Sequence, residues 1–122
     1  MLISYNNDYE KVTMGFLSYI SDLKDPIRIE EELKWYSAQE NRRIYLWQRE
    51  DNENIIGLVG IEEENDLILL RHIALDPSYR NEGLSYTILD ALQEKFEGKN
   101  VVATLETASI ISKWQRKLSE KS

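Results

Sequence analysis

Apolar residues along this chain change their period several times, and each change marks an element. Residues 2–5 are a short apolar start that predicts a first strand. Tyr9, Val12, Phe16, Ile20 and Leu23 then recur at helical spacing. Asn7 or Asp8 can cap that helix, with Glu10 three residues after Asn7 in a capping-box arrangement. Asp25-Pro26 is a second helix start, aspartate as N-cap and proline at the first helical position. Ile29, Leu33 and Tyr36 continue that helix, and Glu30, Glu31, Glu32 and Lys34 cover its wet side. Adjacent glutamates point in different directions on a helix, so this run reads as a solvated face and not as a cation site.

The period then shortens to two. Residues 43–49 put Tyr45 and Trp47 on one face of a strand and Ile44 and Leu46 on the other. Asp51-Asn52-Glu53-Asn54 is a polar turn, and residues 55–61 form the next strand of a meander, with Gly57 and Gly60 inside it. Glycine in a strand marks a bulge or a close backbone approach; here it can equally make room for an aromatic such as Trp47. Glu63-Glu64-Asn65-Asp66 turns the chain into Leu67–Leu75, an apolar run broken only by Arg71 and His72. Such a run suits a strand covered on both faces. Asp76-Pro77 ends it, because proline cannot donate to a ladder. Leu84, Ile88, Ala91, Leu92 and Phe96 predict a helix that Gly98 stops. Residues 101–105 are a short strand reached through that helix, hence parallel to the central one. Thr107 can cap a last helix with Ala108, Ile111, Trp114 and Leu118 on one face. The order is β-α-α-β-β-β-α-β-α. With no repeat or linker, residues 1–122 are expected to form one domain.

Composition narrows the class. The chain is 42% hydrophobic and 10% aromatic, which argues for a folded globule. No apolar run approaches the roughly 20 residues that span a bilayer, and the N-terminus lacks the pattern of a signal peptide. There is no cysteine and one histidine, which excludes disulfides, thiolate metal sites and a histidine-based metal cluster. The cytoplasm is the expected location. A net charge of −7 disfavours nucleic acid as a partner and suits an amine substrate. The basic cluster Lys113, Arg116, Lys117 and Lys121 reads as a solvated helix end.

Candidate chemistry centres on the loop Arg80-Asn81-Glu82-Gly83-Leu84-Ser85 between strand and helix. The first turn of a helix offers backbone N–H groups without intrahelical partners at its positive end. Gly83 lets an anion come close, and Arg80 adds a forked donor suited to phosphate. No Gly-Lys-Ser/Thr follows, so this is not a Walker loop, and it is not a three-glycine dinucleotide fingerprint. Together with Ile73, Ala74, Leu75 and Pro77, it resembles the acyl-CoA-binding motif of the GNAT N-acetyltransferases, Arg/Gln-x-x-Gly-x-Gly/Ala after a strand of alternating aliphatics. Ser85 stands where the family prefers glycine or alanine, and Glu82 brings a carboxylate near the expected pyrophosphate.

The resemblance extends to the element order. It implies a mixed, mainly antiparallel α/β (α+β) sheet with helices on both faces, lacking the family's usual final two strands. The edge so exposed is a place for a second copy, a homodimer. Leu46-Trp47, Arg71-His72-Ile73 and the Pro-Ser-x-Arg-x-x-Gly loop look like the short RibT-like members associated with riboflavin biosynthesis operons. The resemblance implies coenzyme A or acetyl-CoA as cofactor, with Ile73, Ala74 and Leu75 main chain on the pantetheine arm and residues 80–85 (Arg80, Asn81, Glu82, Gly83, Leu84, Ser85) on the pyrophosphate. It further implies transfer of an acetyl group to an amine.

That reaction needs a base. The candidates are His72, by its ordinary pKa, and the carboxylates Glu62, Glu63, Glu64 and Asp66 at the strand junction; a lone histidine on a buried strand can equally be a hydrogen-bonded core residue. The family often places a tyrosine acid on the last helix, but none stands between Thr107 and Leu118, and Tyr86 lies on the preceding helix. Two functions stay open: an N-acetyltransferase, and a non-catalytic acyl-CoA-binding sensor. The acceptor pocket is expected among Trp35, Tyr36, Tyr45 and Trp47, residues that serve as well in a core.

Overall fold

A computed structural model describes residues 1–80 and 83–120. Its elements are β1 (Leu2–Ser4), α1 (Glu10–Leu17), α2 (Pro26–Ser37), β2 (Arg42–Gln48), β3 (Ile55–Glu64), β4 (Leu67–Leu75), α3 (Leu84–Lys95), β5 (Asn100–Ala103) and α4 (Ala108–Glu120). The five strands lie side by side in chain order. All neighbours are antiparallel except β4 and β5, which are parallel, as a helical crossover requires. The mixed, mainly antiparallel sheet with helices on both faces is the architecture expected from the sequence.

Each face of the sheet carries its own core. Phe16, Leu17, Leu23, Ile29 and Tyr36 pack against Ile44, Leu46, Leu58 and Ala74 on one side. Ile88, Leu89, Leu92, Ile111 and Trp114 pack against Tyr45, Val59, Ile61, Ile68, Leu70 and Val101 on the other. The alternation read from β2 is therefore the alternation between the two cores. Among the described residues no helix is long and apolar enough to cross a membrane.

Several local expectations change. Asn6, not Asn7 or Asp8, caps the first turn, its Oδ1 accepting the Asp8 N–H at 2.8 Å. That turn is a 3-10 turn, Asn7–Tyr9, which hands over to α1. The α1 helix stops at Leu17 because the chain tightens: Tyr19 and Ile20 N–H donate to the carbonyls three residues back, and Ser18 Oγ donates to Gly15 O at 2.6 Å. Ile20 thus leaves the helical face it was assigned to. Asp25 caps α2 as expected, accepting the Ile27 N–H at 2.9 Å. The β3 strand continues through Glu62, Glu63 and Glu64, so only Asn65 and Asp66 turn the chain, with Asn65 at φ +51.

A bulge in β4 sets up the functional surface. Ile61 pairs with Leu70 and Gly60 with His72, so Arg71 has no opposite residue on β3. One extra residue exchanges the faces of everything after it. Before the bulge, Ile68 and Leu70 face the α3–α4 core; after it, Ile73 and Leu75 do. Ala74, and with it His72, face α1 and α2.

Candidate functional site

The site grows from the unequal lengths of β4 and β5. They pair only over Leu67–Leu70 and Asn100–Ala103. From Arg71 to Leu75, β4 runs on with β3 alone beside it among the described residues, leaving main-chain donors and acceptors open on the other side. Thr107 pins the fork: its buried hydroxyl donates to Leu70 O at 2.8 Å and accepts the Thr104 N–H at 3.0 Å. Thr107 does begin α4, its carbonyl accepting the Ile111 N–H, but the side chain expected as a cap is engaged with strand and loop instead.

Two hollows lie along this open edge. The first, about 320 Å³, is lined by Ile73, Ala74, Leu75, Arg80 and Ser85, with Tyr19, Ile20 and Ile110. Arg80 holds its guanidinium 5.1 Å from the Tyr19 ring centroid. Gly83 occupies the N-cap of α3 at φ +74, where a side chain is strained, and its carbonyl accepts the Tyr86 and Thr87 N–H groups. Asn81 and Glu82, the remaining loop candidates, lie outside the described residues.

The second hollow, about 340 Å³, is lined chiefly by Arg71, His72, Glu32, Trp35, Arg28 and Glu106. Ile20, Ile73 and Ile110 line both, so the two form one groove along β4. Ile20 reaches it because α1 ends early.

His72 enters the second hollow from a buried anchor. Tyr36 Oη lies 2.5 Å from His72 Nδ1. Gly60 makes room for that ring: a Cβ there would sit 2.0 Å from Tyr36 Oη. The glycine serves Tyr36 rather than Trp47, beside a bulge as well. Burial, and then the nearby Glu32 carboxylate, push the Tyr36 phenol far up. It therefore stays protonated, and in its contact with Nδ1 either group can be the donor, depending on the imidazole tautomer. Burial, reinforced by Arg71 and opposed by Glu106, brings His72 down to about 4. The imidazole is thus neutral at neutral pH. Its Nε2 faces Glu32 Oε2 at 3.8 Å, a neutral ring nitrogen near a carboxylate rather than an ion pair.

The other predicted bases separate. Glu62 is buried, with Arg71 Nη2 at 2.6 Å and Nε at 3.1 Å from Oε1, and Arg42 Nε 3.6 Å from Oε2. The two guanidiniums flank the Trp35 ring at 5.1 and 4.0 Å. Glu62 is not among the residues lining the groove. Glu63 pairs with Lys99 and Arg43, on the far part of the sheet. Of the expected acceptor aromatics, Trp35 alone lines the groove; Tyr36 stands behind His72, while Tyr45 and Trp47 join the α3–α4 core. Tyr86 lies beside Lys117, its ring centroid 4.8 Å from Nζ, and Ile111 and Trp114 are core residues. Among the described residues no cluster of three or more His, Cys, Asp or Glu could hold a metal ion.

Glu32 is the residue that sequence reasoning missed. It was assigned to a solvated face, yet it is half-buried and lines the groove. Its position three after Ile29 and four before Tyr36 was the available signal, since those spacings share a helix face.

Comparison with known proteins places the fold and the family. Residues 9–115 match the acetyltransferase (GNAT) family. An uncharacterized N-acetyltransferase in the lysA 3′ region of Bacillus methanolicus is 34% identical over 114 residues, 93% of either chain. Among solved structures, AAC(6')-Iy in complex with the bisubstrate analog CoA-S-monomethyl-acetylneamine superposes with a TM-score of 0.70 at 12% identity, covering 97% of this chain and 87% of that one. A possible acetyltransferase from Clostridium difficile 630 gives 0.72 at 9% identity, covering 98% and 88%.

Proposed function

Because the chain belongs to the acetyltransferase (GNAT) family, we propose that it transfers an acetyl group from acetyl-CoA to a primary amine bound beside His72. The observation that carries this reading is the continuous groove along the unpaired part of β4. The open main chain of Ile73, Ala74 and Leu75 suits an amide-bearing pantetheine arm, which needs backbone donors and acceptors in register. Arg80, Gly83, Leu84 and Ser85 would hold the pyrophosphate: a guanidinium, a backbone free to come close and the amides of a helix start. Asn81 and Glu82 belong to the same loop in the sequence. Acetyl-CoA, when bound, supplies an activated acetyl thioester at the second hollow, which is large enough for a small acceptor. Of the two catalytic candidates taken from the sequence, His72 faces that hollow and Glu62 is engaged by two arginines.

The second reading is an acyl-CoA-binding module without turnover. What favours it is α4, whose inward residues Ile111 and Trp114 are core and offer the thiolate no proton. Among the described residues β5 is an edge strand, where a second copy would add a strand.

Calorimetric titration with acetyl-CoA and coenzyme A, on the native chain and on Arg80→Ala, tests the binding step. Thiol release is then followed with an amine panel running from putrescine to neamine, and including flavin-pathway amines because of the RibT-like resemblance. Binding weakened by Arg80→Ala together with amine-dependent thiol release supports the transferase. Binding without release supports the second reading, and no binding overturns both.

A further inference from the structure

We propose that Glu32 is the proton acceptor of the reaction, and that Tyr36 and His72 are positioning residues that aim an N–H at its carboxylate. This rests on the transferase reading above.

The geometry is a line of three groups on two elements. Tyr36 and Glu32 stand four residues apart on α2, so their side chains share a face. His72 comes to that face from β4 only because the Arg71 bulge has turned it over. Tyr36 Oη lies 2.5 Å from Nδ1 and Nε2 lies 3.8 Å from Glu32 Oε2; in the proposed arrangement the phenol donates to Nδ1 and the ring proton sits on Nε2. With its proton on Nε2, the imidazole has no lone pair to offer the groove; the nitrogen that could accept is filled by the phenol. Glu32 keeps accepting oxygens in the groove, and no arginine or lysine pairs with it among the ion pairs of the described residues. Glu62, by contrast, cannot leave its two arginines without exposing buried charge.

The proton balance is simple. A primary ammonium entering the groove gives one proton to the Glu32 carboxylate and becomes a nucleophilic amine. Its nitrogen forms the C–N bond to the acetyl carbon while the C–S bond breaks. Coenzyme A leaves with the C–S electron pair and takes the second nitrogen proton as thiol. The groups facing His72 and Glu32 from all packed elements are Tyr36 and Arg28 on α2, Arg71 on β4, Glu106 before α4, and Asp22 before α2.

Because His72 is the only histidine, ¹⁵N-histidine NMR reads its tautomer directly. The expected result is protonated Nε2 and unprotonated Nδ1 between pH 6 and 8 in the native chain, with mixed tautomers in Tyr36→Phe. A proton on Nδ1 in the native chain overturns the inference, because Nε2 would then be free to act as base. The kinetic arm uses acetyl-CoA with the panel amine that releases thiol fastest. Glu32→Gln should lower kcat about 10²–10⁴-fold and abolish the acidic limb of the kcat pH profile, while acetyl-CoA affinity by calorimetry stays unchanged. Tyr36→Phe should shift that limb and leave it present. Turnover that survives Glu32→Gln with its acidic limb intact overturns the inference alone. Failure of the native chain to acetylate any panel amine overturns the transferase reading, and this inference with it.

Discussion

Gly60→Ala puts a Cβ 2.0 Å from Tyr36 Oη and 2.5 Å from Cζ, in the middle of β3. In an unobstructed strand the same change would be favourable by about 0.5–1 kcal/mol, because glycine loses more backbone freedom on folding. Here the sign reverses. Tyr36 is buried at 5% exposure and its ring cannot swing to solvent without unpacking from Trp35 and the α1–α2 core. Forcing it aside is overpacking, which costs about 1–3 kcal/mol. Displacing the hydroxyl from His72 Nδ1 leaves buried polar groups unpaired, a further cost of about 1–3 kcal/mol. The expected net loss is about 1–5 kcal/mol, a large part of a typical domain stability of about 5–15 kcal/mol. Urea unfolding should show a lower midpoint at unchanged m. A double-mutant cycle isolates the cause: in a Tyr36→Leu background, Gly60→Ala should fall within about 1 kcal/mol of neutral. An equal cost with and without the tyrosine ring, or no cost with it, refutes the steric account.

Three other outcomes follow from the same packing. His72 is held at about 4 against an ordinary 6.5, chiefly by burial; above pH about 6.5 both folded and unfolded chains are neutral there, and between about 6.5 and 4 only the unfolded chain takes the proton. Stability should therefore fall by up to about 3 kcal/mol across that window relative to His72→Gln, and a pH-independent difference in unfolding free energy would contradict it. Thr107→Val keeps the shape but strands the Leu70 carbonyl and the Thr104 N–H; a loss of about 1–3 kcal/mol is expected, with faster amide exchange at the end of β5. Gly83→Val meets no neighbouring atom but must adopt φ +74, so the fold should survive at a cost of about 1–3 kcal/mol. Coenzyme A affinity should disappear in that variant by calorimetry, and retained affinity would remove Gly83 from the binding loop.

Much of the fold was written in local pattern. The strand Leu67–Leu75, the proline turn and the helix beginning at Leu84 stand where the periodicity put them. The two faces of β2 and the Asp25-Pro26 start of α2 were legible too, because side-chain period and cap chemistry depend only on near neighbours. The candidate cofactor loop was readable for the same reason, being one contiguous segment. The other half of the groove was not. A bulge is a mismatch between two strands, so no feature of β4 alone announces that Arg71 is unpaired and His72 inverted toward Tyr36. Whether Gly60 makes room for Trp47 or Tyr36 depends on which helix crosses β3. Glu62 and Glu32 look alike as glutamates; the first is clamped because Arg42 and Arg71 flank it on neighbouring strands, and the second reaches the groove because the face of α2 that carries Tyr36 and Glu32 meets His72. The sequence by itself determined most of the elements and the two faces of β2, and it marked the candidate cofactor loop as one segment. Only the tertiary structure decided which polar side chains meet, since that depends on strand register and helix placement over the sheet, which are long-range properties.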